Sequence, residues 1–252
     1  GPGQGDYVAV PKPERGYLEG LHDPVGPLKV AVCDALPGGP PSDPEVVANA
    51  RAVATRLEAM GHVVEEAAPD VDVLASHRIG RDLFLSRVQG FVTGLAASMG
   101  REPGPDMLET MTLAALEQAE AMTLARLYDG LATLERLSLA MDLFMADYDL
   151  LVMPGVSKAP FAIGYVDPQR PAPSGPGYWA DEMPYYAMSP IFNVSGQPAL
   201  VIPPLDQPGG VPLGVQLSGK KGSDALLFRV AAELEADAAW QHRRPPVHVA
   251  NV

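Results

Sequence analysis

Between Leu28 and Glu66 the chain changes its hydrophobic period twice, and that change restricts the fold more than any other feature. Leu28-Lys29-Val30-Ala31-Val32-Cys33 is a short apolar run with strand character, and Pro37-Gly38-Gly39-Pro40-Pro41 breaks it. A helix is predicted next. Ser42 or Asp43 can cap it, Pro44 suits its first turn, and Val46, Val47, Ala50, Val53, Ala54, Leu57 and Met60 recur at helical spacing. Gly61 ends the helix, and His62-Val63-Val64-Glu65-Glu66 reads as a second strand. Parallel pairing of two strands joined in this way needs a right-handed crossover, so an α/β architecture is predicted.

The rest of the chain continues the pattern. Helices are predicted over about 71–99 and 105–118, with Gly100-Arg101-Glu102-Pro103-Gly104-Pro105 between them, and a longer one over about 119–147. In the last, Leu124, Leu127, Leu131, Leu134, Leu137, Met141 and Phe144 form a stripe read as core. Asp149-Leu150-Leu151-Val152-Met153-Pro154 is a strand ending at proline, and a Pro- and Gly-rich loop runs on to Gly177. Strands are predicted at 199–203 and 213–217, and a helix at 223–236. Residues 1–27 have no sustained period and read as a linker, leaving 28–252 as one domain.

Composition excludes several classes. With 252 residues, 47% of them hydrophobic and 19% charged, the chain can bury a substantial core. Its apolar runs fall far short of the roughly 20 residues a membrane span needs. No targeting pattern precedes the first elements, so a cytoplasmic protein is expected. A net charge of −13 argues against nucleic acid as a partner. Cys33 is the single cysteine, and its setting suggests an inert, buried strand position.

Two ordered motifs carry a resemblance. Phe192-Asn193-Val194-Ser195-Gly196-Gln197-Pro198-Ala199 is followed by an apolar strand, and Pro212-Leu213-Gly214-Val215-Gln216-Leu217-Ser218-Gly219 comes shortly after. Together they are similar to paired motifs of the amidase-signature family. Tyr148-Asp149-Leu150-Leu151 before Pro154, the unit from Lys29 to Glu66, and Gly1-Pro2-Gly3-Gln4-Gly5-Asp6 also resemble that family. Without the family, Gly196 can supply a positive φ, and Asn193 and Ser195 can hydrogen-bond the backbone around such a turn.

The resemblance implies an α/β fold, the C-terminal part of a mixed β-sheet flanked by helices. It also implies cofactor-free amide hydrolysis by a serine nucleophile, a second serine and a lysine base. Those groups lie in a Gly-Gly-Ser-Ser-Gly-Gly-like segment and in an earlier lysine segment, and neither motif occurs in these residues. No catalytic residue is assigned, and Ser157-Lys158 is set aside because adjacent side chains in an extended loop point apart. The five histidines show no metal-ligand spacing. What the resemblance assigns is a pocket wall for the acyl side of a small carboxamide: Met153, Pro154, Gly155, Val156, Tyr185, Tyr186, Ser189 and Phe192. Equally, the aromatic and Met side chains among them can serve as core. The expected partner is an N-terminal catalytic half, with a homodimer possible and an exposed sheet edge expected. The alternative is a truncated or ligand-binding module without catalysis.

Overall fold

The computed structural model describes residues 3–5, 12–169, 183–206, 210–236, 239–245 and 247–249. Parts of the predicted linker, and residues 170–177 of the long loop, lie outside the described residues. In chain order the elements are β1 (Lys29–Val32), α1 (Pro44–Ala59), β2 (Val63–Glu66), α2 (Val73–Ser98), α3 (Thr110–Glu120), α4 (Leu124–Asp147) and β3 (Leu150–Pro154). There follow α5 (Pro190–Ser195), β4 (Ala199–Ile202), β5 (Val215–Gly219) and α6 (Asp224–Ala236), then a 3-10 turn at Ala239–His242.

The strands form one five-stranded sheet in the order β2-β1-β3-β5-β4. β1 is parallel to both β2 and β3, whereas β5 runs antiparallel to β3 and β4. The mixed sheet flanked by helices is therefore present. Side-chain alternation along the strands divides the interior in two. Val30, Val32, Leu150, Val152, Val215 and Leu217 join α1 and α6 in one core. Ala31, Leu151 and Met153 join α2, α4 and α5 in the other. Strands covered on both faces read as continuous apolar runs, which is how β1 and β3 announce themselves in the sequence.

Several boundaries differ from the sequence expectation. α1 begins at Pro44, yet neither Ser42 nor Asp43 caps it through its side chain, because Ser42 Oγ instead donates to Asp34 O at 2.7 Å. α4 begins at Leu124, where Thr123 accepts from Arg126 N at 3.2 Å. Its apolar stripe is core only toward the C-terminal end. Leu137 and Met141 are buried, whereas Leu124 is 75% and Leu131 38% exposed. That first half is braced to α2 by a charge pair: Arg126 donates to both oxygens of the buried Asp82 at 2.8 and 2.7 Å. β5 is shifted to Val215–Gly219 because pairing on both sides fixes its register, from Pro154 opposite Val215 to Leu150 opposite Gly219.

α5 replaces a predicted turn. Pro190 occupies its first turn and Gly196, at φ 86°, caps its C-terminus. The positive φ expected of Gly196 is present. The turn hydrogen bonds expected of Asn193 and Ser195 are not found among the described residues, since α5 satisfies the backbone locally.

Candidate functional site

Two stretches whose contacting residues, Ser157 and Tyr185, are 28 positions apart in sequence meet at the end of β3. Past Pro154 the chain stays against β5 through Gly155 N, which donates to Gly214 O at 2.9 Å. A β-carbon on Gly155 would sit 2.8 Å from that same oxygen, so only glycine fits this approach. Ser157 N then donates to Tyr185 O at 3.0 Å, while Ser157 O accepts from Asp43 N at 2.8 Å. One residue thus joins the β3 exit, the start of α1 and the segment before α5.

Tyr185 and Tyr186 diverge from that junction. Tyr185 packs edge-on against Phe161, ring centroids 4.9 Å apart, with Tyr165 at 6.1 Å. Tyr186 lies 5.5 Å from the ring of His77 on α2. His77 Nε2 is 3.2 Å from Ala187 O, and burial pushes the His77 pKa below its ordinary value, which favours the neutral ring donating through Nε2.

A cleft of about 400 Å³ opens beside Tyr186. Leu74, His77, Arg81 and Phe84 of α2 form one wall, and Met183, Tyr186, Pro190 and Asn193 form the other. Of the residues chosen from the sequence, Tyr186 lines this cleft. Met153 and Phe192 are packed in the core shared with α2 and α4, and Pro154 is buried at the end of β3. Gly155, Val156, Tyr185 and Ser189 are half-buried around the Ser157 junction. The α2 wall was missed by sequence reasoning. Its signal was present as Leu74, His77, Arg81 and Phe84 at three- and four-residue spacing, a helical face that mixes apolar and cationic groups.

The signature segment after α5 is fastened to α4. Gln197 Nε2 donates to Asp142 Oδ1 at 2.8 Å, and Lys221 Nζ reaches Asp142 Oδ2 at 2.7 Å and Ser138 Oγ at 2.8 Å. Ser138 Oγ in turn donates to Ser195 O at 3.2 Å. These bonds orient α5 and with it the Asn193 wall of the cleft. Ser157 and Ser195 are both buried, and among the described residues neither hydroxyl has a hydrogen-bond partner. Lys158 points elsewhere, its Nζ 4.0 Å from Asp43.

Comparison with known proteins agrees with this architecture. The family model described as Amidase matches residues 2–228. The chain belongs to the amidase, or amidase-signature, family. It is 30% identical over 256 aligned residues to a 6-aminohexanoate-cyclic-dimer hydrolase of Paenarthrobacter ureafaciens, covering 96% of this chain and 50% of that protein. It is 27% identical to the putative amidase AmiB2 of Mycobacterium tuberculosis (strain ATCC 25618 / H37Rv), covering 95% of this chain and 50% of that one. A solved 6-aminohexanoate cyclic dimer hydrolase superposes with a TM-score of 0.87 at 28% identity, over 98% of this chain and 52% of the other. A bacterial aryl acylamidase, at 16% identity and a TM-score of 0.74, shares the fold. The chain spans about half the length of the curated relatives it matches.

Proposed function

We propose that this chain is the C-terminal part of an amidase domain that hydrolyses a linear carboxamide to a carboxylate and ammonia or an amine through a serine acyl-enzyme. Residues 28–252 supply scaffold and acyl-side pocket wall, with Met153, Pro154, Gly155, Val156, Tyr185, Tyr186, Ser189 and Phe192 as its parts. The nucleophilic serine, the second serine and the lysine come from a companion N-terminal segment. The observation that carries this reading is the Ser157–Tyr185 hydrogen bond of 3.0 Å, which joins the two stretches the family resemblance assigns to one pocket. A relative named for hydrolysing the cyclic dimer of 6-aminohexanoate supports an aliphatic amide as substrate.

The side chains present support a division of labour. A serine becomes nucleophilic only beside a base, and Ser157 is buried while Lys158 turns to Asp43. Attack on an amide also needs backbone N–H groups aimed at the developing oxyanion, the role of the Gly/Ser-rich segment in the family. The chain by itself is therefore expected to be inactive, and the assembled enzyme to work without a cofactor. Ammonia or amine release from linear amides should be measured for the chain alone and joined to an N-terminal half bearing the Ser-Ser-Lys set. Activity is expected only in the assembly. An assembly that hydrolyses no amide or ester removes this reading. A stable, monomeric isolated chain that binds a carboxamide, with the assembly inert, would favour a ligand-binding module instead.

A further inference from the structure

The cleft beside Tyr186 carries a charge pattern that a simple apolar wall does not need. The chain has a net charge of −13, yet among the described residues the cleft lining includes Arg78 and Arg81 and no Asp or Glu. The two arginines differ. Arg78 is exposed and pairs with Asp72 at 3.3 Å. The Arg81 side chain is only 20% exposed, and Asp82 Oδ1 lies 3.6 Å from its Nε, beyond hydrogen-bond reach. Asp82 is already engaged, because both its oxygens accept from Arg126. Arg81 Nε is buried with no hydrogen-bond acceptor among the described residues.

Arg81 lines the cleft, and the Asp82 carboxylate beside it is shared with Arg126, so an anion entering the cleft would pair with the exposed part of its guanidinium. The planar donor fork of arginine matches a carboxylate in particular. Next to it, Leu74, Phe84, Tyr186 and Pro190 offer an apolar surface for a methylene chain. From this geometry we infer that the cleft receives the carboxylate-bearing end of a linear aliphatic amide, with Arg81 as the anion-binding residue and the chain lying along Tyr186. The substrate class rests on the amidase reading; the binding of the carboxylate does not.

Calorimetric titration of the purified chain with adipamate and with hexanamide, its uncharged counterpart of equal chain length, tests this. Adipamate is expected to bind about tenfold tighter or more, and the difference to shrink with added salt. Arg81→Gln removes the difference, whereas Arg78→Gln changes adipamate binding by about twofold at most. Equal binding of the two ligands, binding of neither, or a preference that survives Arg81→Gln overturns the inference. The wild-type comparison needs no variant, so it decides the matter even where Arg81→Gln fails to fold. An assembled enzyme inert to every amide, with the carboxylate preference intact, removes the amidase reading alone. Equal kcat/KM for adipamate and hexanamide, with no binding preference, removes this inference alone.

Discussion

Asp149 sits where the helical and strand layers meet, one residue before β3. Its Oδ2 accepts from Lys29 N at 3.0 Å, and its Oδ1 from Lys220 Nζ at 3.1 Å. The Lys29 backbone bond, then Lys220, hold the carboxyl below its ordinary range. A carboxylate with a depressed folded-state pKa contributes stability that is fully present above its ordinary value and is lost as pH falls through the lower folded one. Asp149→Asn should therefore flatten the acid-side limb of the stability curve while leaving its neutral-to-alkaline slope alone. Urea midpoints between neutral pH and pH about 3 check this, and parallel acid limbs for the two proteins would contradict it. Cys33 illustrates the opposite effect at the same scale. Burial, with Asp34 adding to it, pushes its thiol up to about 12. That agrees with the inert packing role its apolar surroundings suggested.

Among elements, the antiparallel pair β3–β5 fixes where the chain leaves β3. It ends where Gly155 meets Gly214 backbone to backbone, with Val201 of β4 closing over the contact. Gly155→Ala would place its β-carbon 2.8 Å from the Gly214 oxygen, and backbone cannot rotate away as a side chain could. The expected cost is about 1–3 kcal/mol, read as a lower urea midpoint with unchanged slope. A midpoint equal to wild type would mean that β3 and β5 are free to separate here. Element type was largely legible in the sequence, since β1, α1, β2 and α2 follow from period and breakers. α5 was not, because six residues are too few to display a period and Pro190, Asn193, Ser195 and Gly196 all favour turns in isolation. The start of α4 was placed too early for a related reason. Helical spacing continues through 119–123, and the Thr123 cap that stops it is a matter of one hydroxyl.

At the scale of the molecule the two sheet edges are built differently. β2 is guarded by charge: Glu65 pairs with Lys29 at 3.2 Å and Glu66 with Arg51 at 2.6 Å. β4 pairs with β5 alone among the described residues, and Val201 on it is 57% exposed. An apolar edge strand with unpaired backbone groups invites another strand. Among the described residues, β4 is therefore an open edge of the kind expected from the sequence. The isolated chain should self-associate at raised concentration, and Val201→Lys should lower that tendency severalfold in light scattering. Equal scattering from both proteins would show that β4 is not the sticking edge.

The sequence by itself determined the family, the α/β alternation, the two apolar strand runs at the sheet centre and the left-handed Gly196. Each is a local matter of period, breaker or motif, and local chain physics expresses it wherever the segment ends up. The tertiary structure alone decided the cleft. Arg81 and Tyr186 share no sequence neighbourhood, and the Asp82 carboxylate 3.6 Å from Arg81 Nε is bound at both oxygens by Arg126, on a third element. Which partner a buried charge keeps depends on three-dimensional competition, and that competition leaves no periodic trace in the chain.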